Sequence, residues 1–200
     1  MSRRRDNSTF KEKVRLRQAM MRRIKDPVIM ETHGGSGRLW KACYQSVERG
    51  VVFEKNPDWS GWLALQRPTW AVYEADCVRA LRDGAGAHLT VNILDLDPWG
   101  DPWPAIFAFF DSERPRAATL WVVVNDGLRQ KVRMGGAWNV RTLQAMVSKY
   151  GNDLHDKYLE ICREMMQQAS ARAGYSLASW AGYYCGHGRQ MTHYLAELRR

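Results

Sequence analysis

Val28-Ile29-Met30-Glu31-Thr32-His33-Gly34-Gly35-Ser36-Gly37, running on into Arg38-Leu39-Trp40-Lys41-Ala42-Cys43, takes an apolar run into an acid, a glycine-rich turn and a segment of helical character. That order reads as strand, tight loop and helix start. Glycines remove the Cβ atoms that hold a backbone away from a ligand, and the first N–H groups of the helix point at whatever sits there. Such a turn admits a nucleotide-like ligand. A dinucleotide site has the same look, and a plain turn with no ligand shares the composition.

Working outward, the pattern repeats. Arg38 to Arg49 reads as a helix stopped by Gly50, and Gly50 to Glu54 as a second strand. Asn56 to Thr69 is a long connection with room for a short helix. Trp70 to Asp76 is a third strand, Val78 to Arg82 a short helix closed by Gly84-Ala85-Gly86, and His88 to Leu96 a fourth strand. Trp103 to Phe110 predicts a helix and Ala117 to Val124 a fifth, wholly apolar strand. Strands alternating with helices imply βαβ units and a mainly parallel sheet covered on both faces. Asn139 to Tyr150 and Asp153 to Ala173 read as helices; Leu177 to Cys185 and Met191 to Leu198 read as a hairpin around Gly186-His187-Gly188.

Glu31, Glu54, Asp76 and the pair Asp95/Asp97 each fall at the carboxyl end of a predicted strand. Ligands of such sheets bind beyond those ends, so the acids are expected to converge on one rim.

Charge is uneven along the chain. Residues 1 to 26 hold ten Lys and Arg against three acids, a net of +7 out of +9 for all 200 residues. A basic leader on a nearly neutral body points to a polyanion, with a solvated tail as the plain alternative. Thr9 to Ile24 reads as an amphipathic helix ended by Asp26-Pro27, either docked with its basic face outward or ordered by a partner. The expected phosphate-tracking residues are Arg3, Arg4, Arg5, Lys11, Lys13, Arg15, Arg17, Arg22 and Arg23, and the expected division is a 1–26 extension and a 27–200 catalytic domain.

Other classes drop out. The sequence has no apolar run long enough for a membrane span and no signal-peptide h-region after the basic start. Cys43, Cys77, Cys162 and Cys185 form no CxxC pair, which fits free thiols in a reducing cytoplasm. Cys185, His187, His193 and Cys162 lack metal-ligand spacing. No Walker loop and no nucleophile elbow is present. Trp121 and Trp180 fall inside strands as core, whereas Trp59, Trp62, Trp99 and Trp103 are expected as pocket walls at the rim.

The order of these elements resembles the class I S-adenosylmethionine-dependent methyltransferases, an α/β, Rossmann-like fold with a seven-stranded mixed sheet, helices on both faces and a C-terminal antiparallel hairpin. The resemblance covers about residues 28 to 198. Glu31-Thr32-His33-Gly34-Gly35-Ser36-Gly37 matches that family's first motif, with His33 in place of the more usual glycine or phenylalanine. The resemblance implies S-adenosyl-L-methionine as cofactor, with Glu31, Thr32, His33, Gly34, Gly35 and Gly37 around its methionine end. Glu54 and Lys55 would lie at the ribose, Asp76 and Cys77 at the adenine, and Asp95 nearby.

Asn92 to Gly100 resembles the Asp-Pro-aromatic-Gly loop of enzymes that methylate exocyclic base amines, closest to the tRNA guanine-N2 methyltransferases. An aryl amine is a poor nucleophile because its lone pair is delocalised into the ring. Acceptors for both N–H groups localise that pair and aim it. Asp97 and the Pro98 carbonyl would be those acceptors, Trp99 would stack on the base, and Gly100 would allow close approach. A nucleic-acid partner, RNA or DNA, is then expected. The competing readings are a methyltransferase of a small molecule or protein and a non-catalytic nucleic-acid-binding module.

Overall fold

The computed structural model describes residues 9–135 and 139–200; Arg3, Arg4 and Arg5 lie outside the described residues. Seven strands form one sheet: β1 (Val28–Glu31), β2 (Arg49–Glu54), β3 (Ala71–Glu74), β4 (Val91–Leu96), β5 (Arg116–Asp126), β6 (Ser176–Cys185) and β7 (Met191–Arg199). Their spatial order is β3-β2-β1-β4-β5-β7-β6. β1 to β5 run parallel, and β7 pairs antiparallel with both β5 and β6. The order reverses between β1 and β4, so the carboxyl ends beside that switch open a crevice.

Period-two alternation divides the sheet's side chains between two helical layers. Val28, Met30, Leu94, Val122 and Val124 pack into the larger core, beneath α4 (Cys77–Arg82), α5 (Trp103–Asp111) and α8 (Tyr158–Ala171). Ile29, Ile93, Trp121 and Val123 face the opposite layer with residues of α1 (Phe10–Met21), α2 (Arg38–Cys43) and α3 (Pro57–Gln66). Local chemistry starts these helices where it should. The Asn56 side chain accepts from the backbone N–H of Asp58 and Trp59, with Pro57 in the first turn of α3. Asp76 does the same for α4 through Val78 and Arg79.

Several expectations change. The segment after the glycine loop is helical for only six residues, and β2 starts one residue before Gly50, where Trp70 packs too closely for any Cβ. A short helix, α6 (Leu128–Arg133), follows β5, and the helix expected from Asn139 shrinks to α7 (Gln144–Tyr150). Trp103 is no pocket wall: it is fully buried and stacked on Tyr194.

The main correction concerns α1. Leu16 and Met20 sit in the core beside Trp40 and Trp121, so the helix is part of the body. Its polar side is not uniformly outward. Arg17 has 0% exposure and Lys13 turns into the crevice, which removes both from a phosphate-tracking role. Lys11, Arg15 and Arg22 face solvent, and Arg23 pairs with Glu197.

Candidate active site

A cleft of about 510 Å³ opens at the carboxyl ends of β1 to β5. Its walls are the glycine loop, Glu54-Lys55-Asn56 after β2, Ala75-Asp76-Cys77 after β3 and Asp97-Pro98-Trp99 after β4. Gly127 and Gln130 follow β5, and Thr9, Phe10 and Lys13 come from the start of α1. Glu31, Glu54, Asp76 and Asp97 therefore share one cavity. Asp95 does not line it.

The three motif glycines serve different needs. A Cβ at Gly34 would lie 2.5 Å from Leu63 Cδ1 and 2.7 Å from Val52 Cγ2, so this position is glycine to let α3 and β2 pack beneath the loop. Gly37 has φ of 70° and Trp62 against it. Only Gly35 faces open space, with nothing within 4 Å of where a Cβ would stand. Its N–H donates to Glu54 Oε2 at 2.6 Å, while Asn56 N–H donates to Oε1 at 2.8 Å. Glu54 thus ties the loop to the start of α3 at the cleft wall.

His33 bridges two walls. Its Nδ1 lies 2.7 Å from Thr32 Oγ1 and its Nε2 3.7 Å from Cys77 Sγ. Burial pulls the imidazole below its ordinary range, against the nearby Asp97, Glu54 and Asp76, so the ring is neutral at pH 7. Burial, and then Asp76, push the Cys77 thiol up to about 12, so it packs as a thiol and is no nucleophile.

Asp97 stands across the cleft. Lys13 Nζ donates to its Oδ1 at 2.5 Å and Asn125 Nδ2 to the same oxygen at 2.9 Å, leaving Oδ2 for another donor. Burial alone would raise this carboxyl; Lys13 and Arg17 more than offset it and hold it below the usual carboxylate range. Pro98 is buried, whereas Trp99 is 86% exposed. Gly127 N–H donates to Gly100 O at 3.0 Å, which pins this loop to the end of β5.

Behind the cleft lie two buried ion pairs that sequence reasoning missed. Arg17 Nε and Nη2 donate to Asp95 Oδ2 and Oδ1 at 2.7 and 2.5 Å, and the Tyr44 hydroxyl adds a bond to Oδ2 at 2.6 Å. Asp95 follows Ile93 by one strand period and so faces α1, which corrects its assignment to the cofactor. Arg67, stacked between Trp40 and Trp70 with its carbon 4.8 and 5.0 Å from the ring centroids, donates to Glu31. Burial pushes Glu31 up to about 7, with Arg67 working against that rise and Asp95 adding to it. Glu31 lines the floor of the cleft with its Oε2 held by Arg67. The sequence carried one usable signal: Lys13, Leu16, Arg17 and Met20 share one face of α1 at i, i+3, i+4 and i+7. Nothing local marks Arg67 or Asn125.

Among the described residues no group of His, Cys, Asp and Glu is arranged to hold a metal ion, and no helix is long and apolar enough to cross a membrane.

This topology, with an antiparallel seventh strand inserted beside the fifth, is the fold of the class I S-adenosylmethionine-dependent methyltransferases. Among solved structures it is similar to Trm1 from Pyrococcus horikoshii in complex with S-adenosyl-L-methionine, at a TM-score of 0.68 and 10% identity over 96% of this chain and 54% of that one. The chain thus spans about half the length of that structure. It is also similar to TYW2 from M. jannaschii in complex with AdoMet (TM-score 0.62, 12% identity, 100% and 79% of the two chains). A third is the putative methyltransferase yhhF from Escherichia coli (0.58, 15%, 97% and 87%). No family model matches the sequence, and no curated protein is similar to it in sequence.

Proposed function

We propose that this chain is an S-adenosylmethionine-dependent methyltransferase acting on an exocyclic amine of a nucleic-acid base. The observation that carries the reading is Asp97. It is a carboxylate kept ionised and fixed through one oxygen, beside a stiff Pro98 and an exposed Trp99, across the cleft from the glycine loop. Similar folds crystallised with S-adenosylmethionine support the choice of cofactor.

The residues present fit that cofactor. Gly35 leaves a cradle that any Cβ would fill, and Glu54 and Asp76 stand on successive walls as acceptors for ribose hydroxyls and an adenine amine. Asp76 spends Oδ1 on capping α4, which leaves Oδ2 for the ligand. Lys55, Cys77 and His33 line the same cavity. When bound, S-adenosylmethionine supplies an electrophilic methyl group on a sulfonium. The chain's own work is to orient the amine. Asp97 Oδ2 and the Pro98 carbonyl accept its two N–H groups, concentrating the lone pair on nitrogen, while Trp99 provides a stacking face for a flipped or single-stranded base. Gly100 keeps the approach open.

Two measurements test this. Calorimetric titration with S-adenosylmethionine should show one-site binding, and its absence rejects the cofactor. Transfer of a labelled methyl group to RNA or DNA by the parent, lost in Asp97→Ala with cofactor binding retained, supports the substrate. Transfer to free amines or protein alone replaces the nucleic-acid reading with the small-molecule or protein one.

A further inference from the structure

The sequence places the polyanion contact on the basic leader, yet two of the four cations of α1, Lys13 and Arg17, are spent internally, and only Lys11 and Arg15 face solvent. Arg17 is buried on Asp95, Lys13 is engaged by Asp97, and Arg23 is paired with Glu197. A different run stays free of acids. Residues 127–152 contain five Lys and Arg and no Asp or Glu. Of these, Arg129 is buried and Lys149 is paired with Glu164. Lys131, Arg133 and Arg141 are exposed and take part in no ion pair among the described residues.

The hairpin turn between β6 and β7 adds a fourth free cation. Arg189 is exposed and is the one non-glycine residue with positive φ among those described, at 56°. That conformation disfavours a side chain and needs an outside hold. Arg129 provides it, donating to the Arg189 carbonyl while its guanidinium lies 3.8 Å from the Tyr184 ring centroid. Arg189 reaches the same ring at 5.4 Å, and Arg133 Nη1 is 3.3 Å from where a Gly188 Cβ would be. The turn and α6 therefore form one basic surface. It borders the cleft, since Gln130 and Met191 line the cavity and Gly127 is bonded to Gly100. Asp101, the acid on which Lys131 acts electrostatically, is occupied by Trp103 N–H and the Thr142 hydroxyl.

We infer that the surface formed by Lys131, Arg133, Arg141 and Arg189 beside the exposed Trp99 is where the phosphate backbone of a single-stranded nucleic acid docks, delivering a base into the cleft. Unpaired cations next to an exposed aromatic face are what such a strand requires: phosphates are neutralised while bases stack, without sequence choice. An acidic peptide would use the cations and leave Trp99 without a partner. The inference deepens the proposed function and rests on its reading of the substrate as nucleic acid.

The test uses the full chain and a labelled oligouridine RNA followed by fluorescence polarisation across a salt series. Lys131→Glu/Arg133→Glu/Arg189→Glu should weaken binding by at least about tenfold and lower the slope of log affinity against log salt by about 2, the share of three phosphate contacts. A control, Lys11→Glu/Arg15→Glu/Arg22→Glu, should bind as the parent does. Trp99→Ala should weaken binding without changing the salt slope. Parent-like binding by the first variant, loss confined to the α1 variant, or capture of polyglutamate with no binding of RNA overturns the inference. Titration of every variant with S-adenosylmethionine reports whether the fold is intact. A parent that binds RNA through this surface but not the cofactor refutes the methyltransferase reading and leaves the surface standing.

Discussion

Replacing Arg17 with methionine should be among the most damaging single changes outside the apolar core. The guanidinium has no solvent exposure, and its partner Asp95 retains 1%. Burial alone would lower the Arg17 pKa, but the adjacent carboxylate overcomes it and the net shift is upward, so the pair is fully charged. Methionine fills much of the volume and removes both bonds to Asp95, leaving a buried carboxylate with the Tyr44 hydroxyl as its one remaining direct side-chain donor among the described residues. Breaking a buried pair from one side costs about 3–5 kcal/mol, against a total stability of order 5–15 kcal/mol for a domain. Urea unfolding at pH 7, followed by circular dichroism, reads the loss as a lower midpoint. The double replacement Arg17→Met/Asp95→Leu removes both charges, and such exchanges are often neutral or stabilising. It should recover most of the loss, and this recovery separates an orphaned charge from mere loss of contacts. A single variant costing under about 1 kcal/mol, or a double variant as unstable as the single, would refute the reasoning.

Three further outcomes follow from the same geometry. Lys13 holds Asp97 ionised, so Lys13→Met should move the acid limb of the methyl-transfer pH profile to higher pH, while Lys13→Arg keeps it in place; an unmoved limb in the methionine variant assigns Lys13 a packing role alone. Asp126, fully buried beneath the Tyr158 and Tyr194 hydroxyls, is pushed by burial from 3.8 to about 7. The folded state therefore binds the extra proton between those values, and stability falls as pH rises through that window, by up to about 4 kcal/mol, then levels off. Denaturation at pH 5 and pH 8 should show that slope in the parent and a reduced one in Asp126→Asn; equal slopes would discount the buried carboxyl. Gly34→Ala drives a methyl group into Leu63 and Val52 and should cost about 1–3 kcal/mol by overpacking, read as a lowered thermal midpoint; an unchanged midpoint would show that the loop yields freely.

The sequence by itself determined the alternation of strands and helices, the glycine turn after Glu31, the acids ending β1 and β2 or just following β3 and β4, and the closing hairpin. These are legible because they rest on near-neighbour chemistry: period-two burial, turn residues with fixed backbone demands, and caps such as Asn56 and Asp76. Tertiary structure alone decided which charges face inward. Arg17 and Asp95 are 78 residues apart, Arg67 and Glu31 are 36 apart, and Lys13 and Asp97 are 84 apart. An arginine in an amphipathic helix looks the same in sequence whether it meets water or a buried carboxylate. The difference lies in whether the sheet presents an acid beneath it, and that depends on strand order and register, which no local pattern encodes.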